Sequence, residues 1–203
     1  MNKSKFFLFK FFTVFIFLSF FSNISFSIEP EKFIQDTVNE ASLILIKGGN
    51  KNEKIIKLRD IAKKTVDIKG IAFYTLGSHR KSISDNQKKI YLELFEEYFL
   101  RTFSSRLAEY SDPKINVNSQ KKLNENYTIV SSTLIGTDER PEIKIGWRVY
   151  TKNPDKPLIR DLIIEGLSLA RAQKEEFNSI IQSNDSKMEA LLSTMRDFNN
   201  KID

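Results

Sequence analysis

The sequence predicts an α+β fold: helices, then a twisted antiparallel sheet of about four strands, then helices again. Three observations carry this. Apolar residues recur at helical spacing as far as Tyr110, at a spacing of two between Ile115 and Glu165, and at helical spacing again from Phe177. The strand-like runs are joined by turn-length links, which suit an antiparallel meander. A chain of 203 residues, 40% hydrophobic and 29% charged, is long enough and apolar enough to bury one core.

The first 27 residues are a different polymer from the rest. They hold ten of the 17 Phe and none of the seven Gly or five Pro. Lys3 and Lys5 form a positive head, Phe11–Phe21 is an uncharged apolar core, and Ser25-Phe26-Ser27 offers small residues before a cut at Ile28. That is the three-part pattern of a secretory signal peptide; an uncleaved anchor is the alternative. Residues 28–203 then form a single domain bound for the periplasm. Cleavage leaves 176 residues. It removes three lysines and no acid, so the net charge falls from +6 to +3. So small an excess, outside the cytoplasm, argues against nucleic acid as a partner.

Each element has its own signal. Pro30 suits a first helical turn. Ile34, Val38, Ala41 and Leu45 follow on one face, and Gly48-Gly49 stops the helix. Asn50 with Glu53 is a capping box opening a second helix with Ile55, Leu58 and Ala62. Val66 to Leu76 reads as a tight turn and a short helix ending at Gly77. Ser84 with Gln87 is another box, ahead of the longest periodic run: Tyr91, Leu94, Phe95, Tyr98, Phe99, Thr102, Phe103, Leu107 and Tyr110, ended by Asp112-Pro113. Strands follow at Ile115 and Val117, at Tyr127–Gly136, at Ile143–Tyr150 and at Leu158–Glu165. Two helices close the chain, the last behind a box at Ser186 and Glu189.

Several chemistries are excluded. Without cysteine there is no disulfide framework, thiolate metal site or thiol nucleophile, and a single His79 cannot build a multi-histidine metal site. No phosphate-binding glycine loop or nucleophile elbow occurs. Asp161 and Glu165 fall on one strand face, but four residues of strand span roughly 13 Å, too far for a glycosidase carboxylate pair. They read as solvent-facing or paired charges. No catalytic residue, cofactor or metal is expected. Residues 47–69 hold eight basic side chains against three acids. Such a stretch suits anionic head groups or an acidic partner, with Lys54, Lys57 and Lys64 as docking candidates. A solvated face with Glu53/Lys57 and Asp60/Lys64 pairs is the plainer reading.

Taken in order, these features resemble the MlaC family, periplasmic phospholipid-binding components of an ABC lipid-transport system. The resemblance runs over nearly all of 29–196. It rests on Pro30-x-x-Phe33-Ile34, on Leu76-Gly77 with Gln87 ten residues on, on Thr102-Phe103 with Leu107 and Tyr110, on Asp161-x-x-x-Glu165-Gly166-x-Ser168, and on Phe177 with the Leu191 helix. Leu158 stands where family members commonly carry Trp, and no role is carried onto it. The resemblance implies a monomeric carrier, not an enzyme. Its phospholipid cargo would lie in an apolar cavity between sheet and helices. It would shuttle between an inner-membrane ABC complex with an MCE-domain protein and an outer-membrane lipoprotein complex, maintaining outer-membrane lipid asymmetry and toluene tolerance. A hopanoid or other apolar lipid is the near alternative; a small exported cone-fold enzyme or an interaction scaffold is the distant one. On this reading Phe95, Phe99 and Phe103 of the long helix face Ile143, Ile145, Trp147 and Val149 of the third strand, with Leu162 and Ile164 of the fourth, across the lipid tails.

Overall fold

The computed structural model of the chain describes residues 27–47, 49–138 and 140–201. The signal-peptide reading falls on residues 1–26 and so lies outside the described residues. Helices and one antiparallel sheet follow from Pro30 onward. Helices α1 (Pro30–Lys47), α2 (Lys51–Thr65), α3 (Ile68–Leu76) and α4 (Asp85–Leu107) precede a sheet of strands β1 (Ile115–Asn124), β2 (Tyr127–Leu134), β3 (Ile143–Tyr150), β4 (Leu158–Ile164) and β5 (Leu167–Ser168). Helices α5 (Leu169–Gln182) and α6 (Met188–Asn199) close the chain, and a short 3₁₀ turn (Gly77–Lys81) links α3 to α4. The sheet order is β1-β2-β3-β4-β5, every neighbour antiparallel.

The predicted α+β class and meander are therefore what the chain adopts, with one strand more than expected. β5 is only two residues long, and pairing of Ile163 with Ser168 and Ile164 with Leu167 makes it the return arm of a tight hairpin. β1 is longer than its alternation suggested. Its polar second half, through Lys121 and Lys122, is held extended by pairing with Thr128 and Ile129 rather than by any apolar face of its own.

Local chemistry accounts for the helix ends. Both boxes form as predicted: Asn50 Oδ1 accepts from the Glu53 N–H at 3.1 Å and Ser84 Oγ from the Gln87 N–H at 3.2 Å, with the reciprocal bonds in place. Gly70 does not interrupt α3. It lies in the first turn, where the Asp67 carboxylate folds over it to accept from its N–H at 2.9 Å. A Cβ there would stand 2.4 Å from Asp67 Oδ2, so any larger residue would oblige the Asp67 carboxylate to shift. The box at Ser186 and Glu189 does not form. Asp185 and Ser186 both take left-handed backbone (φ 55° and 59°), which moves the N-cap on to Lys187. Glu189 instead accepts from Gln87 Nε2 at 3.1 Å. α4 also ends three residues short of the predicted Tyr110.

The core joins all these parts. Ile34 and Val38 of α1, Ala62 of α2, Tyr91, Phe95 and Leu100 of α4, Phe177 and Ile181 of α5, and Leu191, Leu192 and Met195 of α6 are buried together with Val130, Val149 and Ile159 of the sheet. Each such side chain contributes about 1.5–3 kcal/mol by leaving water. Within this core α4 packs chiefly on α2 and α6, while α1 lies along β1 and β2.

Candidate functional site: a graded apolar interior

Register and alternation place one face of the sheet. Thr128, Val130, Ser132 and Leu134 of β2 lie opposite Val149, Trp147, Ile145 and Ile143 of β3. Across β3, Val149 faces Ile159, Trp147 faces Leu162 and Ile145 faces Ile164. A bulge at Arg160 restores the face: it lets Ile159 share a side with Leu162 although three positions separate them.

Burial along this face is graded. At one end Val149 and Val130 are fully buried and Ile159 is 5% exposed. Trp147 and Leu162 are half-buried and pack on the edge of the core. Ile145, Ile164, Leu134 and Ile143 are half-buried beyond it. The long helix repeats the gradient. Tyr91, Phe95, Phe99 and Phe103 form a column at i, i+4 spacing, with ring centroids 5.7, 6.2 and 5.7 Å apart. Tyr91 and Phe95 are fully buried against Phe177; Phe99 and Phe103 are half-buried. The predicted lipid-binding residues thus divide. Phe95 and Val149 belong to the packed core, while Phe99, Phe103, Ile143, Ile145, Trp147, Leu162 and Ile164 lie on the looser half of the interior.

Beyond that half lies a cleft of about 360 Å³, lined by Tyr110–Pro113, Leu134, Ile135, Thr137, Asp138 and Arg140–Ile143 without Glu142. Of the predicted lipid-binding residues, only Ile143 reaches it. Its volume is at the low end for ligand sites, about 300–1,000 Å³. The Arg140 guanidinium covers the Tyr110 ring at 5.1 Å, so one rim carries a cation on an aromatic platform.

Polar groups inside the interior are few. Thr102 Oγ1 and Asn199 Oδ1 are buried without a hydrogen-bond partner, while those of Trp147, Tyr91 and Tyr98 are bonded. Trp147 Nε1–H donates to Ser132 Oγ at 2.8 Å, so the indole is anchored from within the apolar face. Sequence reasoning missed Ser132, since a serine in a β-rich run carries no distinguishing signal. The Tyr91 hydroxyl bonds Thr75 Oγ1 at 2.8 Å and the Ala72 carbonyl at 3.2 Å. Burial pushes its pKa well above the usual tyrosine value. Burial likewise raises that of Tyr98, which donates to Gln173.

The Asp161–Ser168 motif proves to be a folding device. Asp161 is not solvent-facing; it is 7% exposed. Its carboxylate accepts from Ser168 Oγ at 2.7 Å and from the Ala170 N–H at 3.0 Å, with the Arg148 guanidinium 3.7 Å away. Ser168 caps α5 through the Arg171 N–H. Glu165 is not in β4 at all. It stands in the turn with φ 47°, beside Gly166 at φ 84°, and accepts from the Lys144 N–H. Two left-handed residues make the two-residue hairpin, and glycine supplies one of them. The bulge residue Arg160 clasps the outside. Its guanidinium bonds Asp67 at 2.6 Å and Tyr127 at 2.7 Å, and lies 3.5 Å over the Tyr150 ring. Burial alone would lower its pKa, but those hydrogen bonds outweigh burial and raise it. His79 is half-buried, and its ring Nε2 hydrogen-bonds the Asn178 side-chain oxygen at 3.0 Å.

Lys54, Lys57 and Lys64 lie on α2, away from this interior. Lys57 and Lys64 are exposed and Lys54 half-exposed. Among the described residues no three His, Asp or Glu side chains gather as a metal site. No helix there is long and apolar enough to cross a membrane.

The chain thus combines an antiparallel sheet whose one apolar face is graded in burial with a long helix whose aromatic column is graded in the same way. The chain belongs to the MlaC family, whose model matches residues 35–197. No curated protein matches the chain. Among solved structures, the phospholipid-binding protein from Ralstonia solanacearum, in complex with a phospholipid, superposes with a TM-score of 0.69. It is 17% identical, over 85% of this chain and 97% of that one. At that identity the likeness speaks for the fold.

Proposed function

We propose that this chain is a periplasmic phospholipid carrier. It takes lipid from one membrane complex and delivers it to another: an inner-membrane ABC transporter with an MCE-domain protein, and an outer-membrane lipoprotein assembly. The observation that carries this reading is the graded interior. Large apolar side chains on three elements stay half-buried along one continuous face, where a finished core would have closed over them. The tails would lie between Phe99 and Phe103 on one side and Ile145, Trp147, Leu162 and Ile164 on the other, entering past Ile143. The cleft as it stands is smaller than two acyl chains need, so loading would move the outer half of α4 away from the sheet.

Energetics favour such a device over a catalyst. Burial of two 16-carbon tails is worth roughly 25 kcal/mol gross, at about 0.8 kcal/mol per CH₂. The bilayer offers a similar sum. A carrier therefore needs parity with the membrane, which an adaptable apolar wall provides without a reacting group. Native mass spectrometry of the mature protein, purified from its own periplasm, is the test. The expected spectrum shows the chain with one bound lipid of phospholipid mass. A bare chain that also takes up no phospholipid from vesicles would overturn the proposal.

A further inference from the structure

The end of the α1–α2 hairpin carries two surface features that no part of the lipid interior uses. One is apolar. Ile56 is 62% exposed, Leu43 56% and Ile46 50%, which puts on this one hairpin three of the four most exposed large apolar side chains among the described residues. Leu43 and Ile46 lie in the last turns of α1 and Ile56 in the second turn of α2. At 1.5 Å rise per residue, all three are within about 8 Å of the tip along their helices.

The other is charge. Within about 10 Å of the tip stand Lys47, Lys51, Lys54 and Lys57 against only Glu53, and Lys63 and Lys64 continue the charge toward the far end of α2 beside Asp60. The i, i+4 pairs that could have neutralised them do not form. Glu53 is turned back to the Asn50 N–H, and neither Lys57 nor Lys64 is in an ion pair. The one arginine of this stretch, Arg59, is turned inward and forms a two-pronged pair with Glu97 of α4.

We infer that this hairpin tip is a membrane-docking surface that binds anionic lipid head groups through its lysines and lowers Leu43, Ile46 and Ile56 into the head-group layer. The residue types decide between a bilayer and an acidic protein. Protein interfaces favour arginine and aromatic anchors and are poor in lysine. Here every outward cation is a lysine, the arginine is withdrawn, and the exposed apolar residues are aliphatic. Basic side chains beside exposed apolar ones suit a helix that lies on an anionic membrane, and the depletion of lysine at protein interfaces tips the choice to the bilayer. The inference extends the carrier reading by giving the carrier a way to rest on a bilayer, but its test does not depend on cargo.

The test is vesicle co-sedimentation of the mature chain with phosphatidylcholine vesicles and with vesicles of equal parts phosphatidylcholine and phosphatidylglycerol. Binding is expected to the mixed vesicles, to weaken with salt, and to be slight on phosphatidylcholine alone. Lys51→Gln, Lys54→Gln and Lys57→Gln together should weaken it about a hundredfold, at about fivefold per lysine. Leu43→Ser with Ile56→Ser should weaken it on mixed vesicles without changing the salt dependence. These side chains are on the surface, so the melting temperature should hold, and native mass spectrometry should show the same lipid load as the parent. Equal binding to both vesicle types, parental binding by the triple lysine variant, or no binding to either vesicle would overturn the inference. Loss of lipid load in the parent chain would instead count against the carrier reading.

Discussion

The two ends of the interior are built from the same side chains on the same elements, yet they are packed differently. At the closed end Tyr91, Phe95, Val130, Val149 and Ile159 are buried within the one packed core. At the open end Phe99, Phe103, Ile145, Trp147 and Ile164 continue the same stripes with fewer protein neighbours. The difference teaches that an apolar face and its filling are separate facts. Alternation fixes which side chains share a side; only the third dimension decides which of them are closed over. The closed end then serves as the rigid base on which the open end can yield.

Substitutions that strike each end in turn should separate them. The largest effect is expected from Val149→Glu. Its carboxylate would be buried with no partner among Val130 and Ile159, and the protein should fail to fold in a circular dichroism melt. Phe95→Ala should cost about 3–5 kcal/mol in urea unfolding, with or without lipid. Phe99→Ala should cost less than half of that in lipid-free protein, because one side of the ring already lacks packing, and more when lipid is bound. If the two phenylalanines cost the same in both states, the ends do not differ.

Two further changes sharpen the base. Asp161→Ala would leave the Ala170 N–H and Ser168 Oγ without their acceptor, at about 1–3 kcal/mol, with the lipid load unchanged. The smallest effect concerns Tyr91. Its folded pKa is raised by burial, so the stability it contributes is complete below the unfolded value of about 10 and drains away as pH climbs beyond that. Tyr91→Phe should cost about 1 kcal/mol at neutral pH and make the alkaline loss of stability shallower. An unchanged alkaline slope would remove Tyr91 from the account.

Much of this fold was legible in the chain because local and global signals agreed. The Asn50 and Ser84 boxes, the period of two at Ile143–Val149 and the aromatic spacing of α4 all formed as expected. The failures have physical causes. The Ser186 box had the right letters, but two left-handed residues displaced the helix start by one position. Asp161 read as either a solvent-facing or a paired charge; it is paired, and sequence alone did not show that a hairpin brings Ser168 and the N-terminus of α5 onto it. The site was half legible. Alternation put Val149 and Ile145 on one face correctly, but nothing in the letters told that Val149 is sealed and Ile145 is not. The bulge at Arg160, which aligns Ile159 with Leu162, left no mark in the sequence at all.

Ile145→Glu is the most direct trial of the central claim, since it puts a carboxylate on the same strand face as Val149, four residues nearer the open end. Native mass spectrometry and a thermal melt of the purified variant give both readouts. The account predicts a folded protein that melts close to the lipid-free parent and carries no phospholipid, because the charge can reach water at the open end but bars the tails. A folded Ile145→Glu protein that keeps its full lipid load would contradict it.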